Sequence, residues 1–438
     1  MHAPMKAAAS PVMQLYQRLV AGGNVRSVLI VGSAWAVQFG CSVLTSIVLA
    51  RYLGPSEFGI LSYVLAVMGF AATLAGFGLS NVVTRELVLA QRSTGEVLGT
   101  VILLRAATGG VAIIGVLLSV RFIEADAVAA GLMLVALGSL LIDGGLIFEC
   151  GLQAQRAFGS SGSAKALLAL TSLGMRGGLV LLGAGLVSFV AVQYAELLLY
   201  IAVFGWIARK SMGGVKVRWN PDLARLLLKQ GFPIMLAGLA TALYLRIDQI
   251  MIEHMLGSTS LGVYSVGVRL ASVASFFPGI VAYVLFPAIV EAQKLGPERA
   301  EAEAIKLYRL MYATGIGFSV AMTIVGEWLT RLMFGPDYDA AVPVLRIYVW
   351  TTVFVFLTIA SQAQLLSSAK TTHVVAVRTI AGAVTNIVLN LLLIPRFGLT
   401  GAAWAAVISY GVAVFFFFDR KYSWPPVRSM LRALALPL

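Results

Sequence analysis

The sequence predicts an all-α integral membrane protein, with twelve transmembrane helices in two six-helix lobes related by a pseudo-two-fold axis along the membrane normal. Three observations carry this. Hydrophobic residues make up 59% of the 438 and charged residues 12%, with a mean hydropathy of +0.91; soluble domains run at roughly 45–50% apolar and about 25% charged. The apolar stretches reach about 20 residues or more, the length of a spanning helix, where a membrane β-barrel would show alternating segments of about 10. Finally, RYLGPSEFGILSY at Arg51–Tyr63 returns 203 positions later as HMLGSTSLGVYSV at His254–Val266, with Leu53, Gly54, Gly59 and Ser62 recurring as Leu256, Gly257, Gly262 and Ser265. Each copy ends one apolar run and begins the next, so the chain is a duplication of membrane hairpins.

Spans are expected at 27–50, 58–83, 97–120, 127–150, 165–187 and 188–208 in the first half, and at 231–255, 262–289, 307–330, 342–367, 372–394 and 398–418 in the second. Six spans per half return the chain to its starting side, giving both copies the same topology. The organisation is then a tail over 1–26, an N-lobe over 27–208, a linker over 209–230, a C-lobe over 231–418 and a second tail over 419–438. Within the linker, Asn220-Pro221-Asp222 has the composition of a helix cap, followed by Leu223, Leu226 and Leu227 on a short amphipathic surface helix. Residues 1–25 lack the continuous apolar core of a cleavable signal, so targeting falls to the first span.

Placing both termini in the cytoplasm assigns 23 of the 32 Lys and Arg to cytoplasmic segments and five to the other side: Arg51, Arg121, Arg331, Arg346 and Arg396. This asymmetry sets the orientation. It also accounts for most of the net charge of +13; the basic loops lack aromatic interleaving and a folded soluble module, so nucleic acid is not the expected partner. There is no GxxxxGK[ST] loop, and His2, His254 and His373 are too scattered for a metal site. No enzymatic chemistry and no resident cofactor are expected. Cys41 and Cys150 fall inside spans and are expected as free thiols.

Function is sought in the intramembrane charges, because an ion at that depth costs several kcal/mol unless it faces a partner or a wet cavity. Four basic residues remain inside spans: Arg105, Arg176, Arg246 and Arg269. Arg105 lies near the cytoplasmic end of its span and is expected to snorkel. From the Gly257 turn, Arg246 lies about 11 residues down one helix and Arg269 about 7 beyond Gly262 on the next, or roughly 10–17 Å at 1.5 Å per residue. Asp248 sits at a comparable depth, so an Asp248–Arg269 ion pair is geometrically open, as is a pathway role. Subtracting the repeat offset maps Arg246, Asp248 and Arg269 onto Val43, Thr45 and Ala66. The scaffold does without these charges in one copy, which favours the pathway role. Guanidinium groups suit phosphate or pyrophosphate. Asp248, Asp143 and Glu196 are the candidate carboxylates for proton or sodium coupling, or for pairing with nearby arginines.

The segment ARYLGPSEFG at Ala50–Gly59 resembles the first-hairpin signature of the Wzx-type polysaccharide biosynthesis flippases, in the multidrug/oligosaccharidyl-lipid/polysaccharide exporter superfamily. RIDQIMIEHMLGSTSLGVY at Arg246–Tyr264, FGPDYDAAVPVLR at Phe334–Arg346 and NIVLNLLLIPRFGLTGAA at Asn386–Ala403 agree with it in order. The resemblance implies a MATE-like, V-shaped pair of lobes around a cationic cavity. It implies a flippase moving undecaprenyl-pyrophosphate-linked oligosaccharide units, precursors of O-antigen, capsule or exopolysaccharide, to the periplasmic leaflet of the bacterial inner membrane. Carried to matching positions, it adds Arg51 to Arg246, Arg269 and Arg176 as cavity candidates. The implied partners are the lipid-linked oligosaccharide, membrane lipid, and a glycan polymerase with its chain-length regulator; two lobes in one chain make a monomer sufficient. A multidrug exporter of the same superfamily and a non-transporting scaffold for glycan-assembly enzymes stay open as alternatives.

Overall fold

The computed structural model describes residues 24–89, 93–120, 126–138, 144–154, 158–212, 218–275, 277–278, 281, 292, 295–365, 372–418 and 422–435. The N-lobe is built from α1 (Asn24–Gly76), α2 (Leu79–Leu89), α3 (Thr94–Val120), α4 (Asp126–Gly138), α5 (Gly144–Ala154), α6 (Phe158–Leu181) and α7 (Leu186–Met212). The C-lobe follows with α8 (Pro221–Leu256), α9 (Ser258–Ser272), α10 (Pro297–Phe334), α11 (Ala341–Tyr348), α12 (Thr351–Leu365) and α13 (Thr372–Phe415), and α14 (Trp424–Ala435) closes the chain. Among the described residues, eight helices are long and apolar enough to cross a membrane. Two of these, α1 and α13, carry two spans each, broken at Gly54 and Gly398.

The repeat read in the sequence is a repeat of backbone geometry. Gly54 has φ 69° and ψ 175°, and Gly257 has φ 83° and ψ 172°. A side chain is disfavoured at positive φ, so each glycine stops one helix where the next begins. In the first copy Pro55 starts the new limb with its φ already helical. Both hairpin turns lie at one end of the molecule, here called the turn end; the linker marks the other.

The largest apolar core straddles the two lobes near the turn end. Leu49, Ala50 and Phe58 of α1 pack with Leu261 and Tyr264 of α9 and with Tyr338, which sits on a 3-10 turn after α10. Between membrane helices, packing and hydrogen bonds rather than water exclusion supply the association. At the linker end, Leu79, Val82 and Val97 of the N-lobe enclose Leu223 and Leu227 of α8.

Several expected boundaries are corrected. The cap at Asn220 forms, its Oδ1 accepting from the amides of Asp222 and Leu223 at 3.1 Å each. However, the helix it starts runs without interruption through Pro233 to Leu256, so the expected surface helix is the foot of the seventh span. The fifth span begins at Phe158, seven residues earlier than expected, which moves Lys165 from the first residue of the span to about two turns within the helix. The second tail carries α14, whose apolar face packs Val427, Met430 and Ala433 inward. Arg378 of α13, counted as a loop residue in the sequence, is buried and donates to the carbonyls of Phe416 and Ser423, fixing the chain between α13 and α14. Cys41 and Cys150 are buried free thiols.

Candidate anion-binding cavity

Between the lobes lies a cavity of about 820 Å3. Most of its wall is N-lobe. Gln38, Ser42 and Thr45 project from the first limb of α1, and Leu61, Leu65 and Gly69 from the second. Their spacing of three or four residues places each set on one helix face. α6 adds Lys165, Ser172 and Arg176, again on one face, and α7 adds Gln193, Glu196 and Tyr200. Among the described residues, the C-lobe contributes from two helices, α8 and α9, and those carry Arg246, Gln249 and Arg269.

The cations of this cavity are of two kinds. On the N-lobe wall each is answered by a carboxylate. Arg176 pairs with Glu196 at 2.7 Å and also donates to Ser172 Oγ; Lys165 pairs at 2.6 Å with Glu149 of α5, which also accepts from the Tyr200 hydroxyl. At the seam, the C-lobe arginines have no carboxylate within 4 Å among the described residues. Arg246 donates from Nη1 to the Leu65 carbonyl at 3.0 Å, its guanidinium lying against Gly69, where a methyl would come within 2.9 Å of Nε. Arg269 donates from Nη2 to the Ser42 carbonyl at 2.7 Å and to Ser42 Oγ, while its buried Nε makes no hydrogen bond. The two guanidinium groups lie within electrostatic reach of each other, and Arg246 also lies within reach of the Asp248 carboxylate behind it. Two positive charges in a low-dielectric seam, held by neutral oxygens, form a place for an anion.

The open Asp248–Arg269 pair does not form. Asp248 turns away from the cavity into the C-lobe, 4% exposed, and accepts from the Tyr264 hydroxyl at 2.5 Å and the Gln249 amide at 2.8 Å. Arg51, expected with the cavity arginines, stands at the turn end outside the lining and donates to the Leu332 carbonyl. Arg105 does not snorkel: it is buried and donates to Ser80 Oγ at 3.0 Å. Asp143 lies outside the described residues. Sequence reasoning missed Lys165 as a cavity residue because it placed the fifth span too late; the one-face spacing of Lys165, Ser172 and Arg176 was the available signal. Among the described residues, no group of three or more His, Cys, Asp or Glu side chains gathers where a metal ion could sit.

Comparison with known proteins bears on this geometry. Residues 25–293 match the family described as polysaccharide biosynthesis protein, and residues 233–392 match the MatE family. The chain is 23% identical over 371 residues to a probable low-salt glycan biosynthesis flippase of Haloferax volcanii, covering 83% of this chain and 76% of that one. It is 26% identical over 219 residues to an uncharacterized membrane protein of Methanocaldococcus jannaschii and 25% identical over 219 residues to the capsular polysaccharide biosynthesis protein CapF of Staphylococcus aureus. These two matches cover 48% of this chain and only 42% and 54% of the relatives. In fold, the chain is similar to the lipid II flippase MurJ in its inward closed conformation, with a TM-score of 0.72 at 15% identity over 93% of this chain and 91% of that one. A multidrug resistance MATE family transporter in its inward-facing conformation gives 0.68 at 15% identity, covering 91% and 95%.

Proposed function

The chain belongs to the polysaccharide biosynthesis protein family, and from that premise we propose that it is a flippase for a lipid-linked oligosaccharide whose pyrophosphate head group binds Arg246 and Arg269. The observation that carries this is the contrast in the cavity: the N-lobe cations are paired with Glu196 and Glu149, whereas among the described residues neither seam arginine has a carboxylate in contact, Asp248 reaching Arg246 only at longer range. Guanidinium groups offer planar, two-pronged donors, keep their charge, and match a pyrophosphate better than a neutral cargo. On binding, the head group replaces the Leu65 and Ser42 oxygens as acceptor and fills the vacant donor capacity of Arg269 Nε.

The polar N-lobe wall then faces the sugars. Gln38, Thr45, Gln193 and the Arg176–Glu196 pair present both donors and acceptors, as hydroxyl-rich cargo requires. A volume of about 820 Å3 falls in the roughly 300–1,000 Å3 range that holds a compact ligand, which suits a repeat unit rather than a polymer. The prenyl tail stays in lipid, reached through a gap between the lobes, and the lobes rock to expose the cavity alternately to each side. By this reading the cargo is undecaprenyl-linked, the membrane is the bacterial inner membrane, and both termini are cytoplasmic. Coupling to a proton or sodium ion is assigned to Asp248, whose buried carboxylate, held by Tyr264, is the C-lobe group best suited to change charge with the lobe's position.

The test is export. Arg269→Ala and Arg246→Ala are expected to abolish surface glycan while leaving membrane insertion intact; normal surface glycan in both overturns the proposal. A multidrug exporter would enclose a more apolar or acidic pocket, and the seam charges here are basic.

A further inference from the structure

The duplicated motif marked the repeat, and nothing in cargo binding uses its second glycine. Gly59 and Gly262 occupy equivalent positions in the two copies, and so do Pro55 and Ser258. A methyl at Gly59 would come within 1.8 Å of the Ser258 carbonyl oxygen, and one at Gly262 within 1.9 Å of the Pro55 carbonyl oxygen. The contact is therefore reciprocal: each lobe's glycine receives the other lobe's carbonyl, across the pseudo-two-fold. Such close approach of helix backbones needs residues without side chains.

Hydrogen bonds flank this contact on both seams. On one, Tyr338 donates to the Ala50 carbonyl at 2.9 Å, and Arg51 donates to the Leu332 carbonyl at 2.5 Å. Leu332 lies in the last turn of α10, where carbonyls lack helical partners and a cation is favoured. On the other, Tyr63 and His254, the repeat equivalent of Arg51, meet at 3.3 Å. The cavity ends just beneath, at Leu49, Phe58 and Leu61.

We propose that the Gly59–Gly262 contact, latched by Arg51 and Tyr338, is the gate that seals the turn end and must part for cargo to leave there. The gate rests on the alternating-access reading and deepens it. The duplicated signature is then conserved between the two halves of this chain because both halves of a symmetric seal must be flat. Arg51 serves as a latch rather than as a cargo ligand, which accounts for its position outside the cavity.

Two measurements on the full-length protein in proteoliposomes test this, in a Cys41→Ala/Cys150→Ala background. First, Leu61→Cys, 3% exposed when the seal is closed, reports opening through a membrane-impermeant maleimide. Gly59→Ala or Gly262→Ala is expected to raise its labelling at least fivefold, and Arg51→Ala/Tyr338→Phe to raise it twofold or more; unchanged labelling in all three overturns the gate. Second, Arg51→Cys/Leu332→Cys, both at exposed positions, is bridged by a short bis-thiol reagent. Bridged protein is expected to lose at least tenfold of its lipid-linked oligosaccharide translocation, with activity returning on cleavage of the bridge. Full translocation by bridged protein overturns the gate by showing that this end never opens. Absence of translocation in the parent protein would count against the flippase reading alone, since the labelling readout does not depend on cargo.

Discussion

The two hairpins that open the lobes share a turn and differ at their middles. Gly54 and Gly257 bend the backbone the same way, and Gly59 and Gly262 meet across the seam. One turn-to-middle distance below, the C-lobe hairpin carries Arg246 and Arg269 where the N-lobe hairpin carries Val43 and Ala66. The pseudo-two-fold sets these sites against each other: Arg246 bonds to Leu65, next to Ala66, and Arg269 bonds to Ser42, next to Val43. One copy supplies donors and the other supplies carbonyl acceptors. A duplicated scaffold has thus kept its fold-determining glycines and let its two faces of one cavity diverge, so that the seam is charged from one side only.

The largest expected effect comes from removing that one-sidedness. Arg246→Ala/Arg269→Ala should lower translocation by at least a hundredfold, since each charge-assisted contact to the head group is worth roughly 1.5–3 kcal/mol and every 1.4 kcal/mol is tenfold. Next comes Glu196→Gln, which leaves Arg176 unneutralised on the N-lobe wall. It should tighten binding of a pyrophosphate-bearing cargo and slow its release, lowering translocation about three- to tenfold at roughly 1 kcal/mol of added binding, with retention of cargo by purified protein as the readout. Asp248→Asn keeps an acceptor for Tyr264 and removes the charge. Transport in this variant should persist at a reduced rate and lose its dependence on an imposed ion gradient; a merely structural Asp248 would leave that dependence intact.

The smallest effect is expected at the surface of the turn end. Arg331 holds the Asp339 carboxyl below the usual carboxylate range by hydrogen bond and charge. A depressed carboxylate stabilises the folded state above its unfolded pKa and loses that contribution as pH falls through the folded one. The Arg331–Asp339 pair should therefore keep its contribution from neutrality down to about 4, and Asp339→Asn should change transport less than twofold.

Much of this was legible in the residues. The glycine turns, the six-plus-six organisation and the depth of Arg246 and Arg269 follow from hydropathy, repeat offset and helical rise. What escaped depended on partners distant in sequence. Asp248 was near enough to Arg269 by depth, and only the rotation of α8 against α9 decided that Tyr264 would take it. Arg51 shares a motif with the cavity arginines by resemblance, and its bond to Leu332, 281 residues away, could not be read from its surroundings. Arg378 and Lys165 fall in the first turns of expected spans and were counted with the cytoplasmic loop charges, because hydropathy places a helix end poorly when a charge lies there; the folded chain buries the one and points the other into the cavity.

The central claim is that the seam arginines receive an anionic head group. The direct measurement is translocation of a fluorescent polyprenyl-pyrophosphate oligosaccharide between leaflets of vesicles holding only this protein, beside Arg246→Ala/Arg269→Ala. The account predicts rapid translocation by the parent protein, background translocation by the double variant, and no extrusion of cationic dyes by either. Equal translocation by both proteins, or dye extrusion without lipid movement, would contradict it.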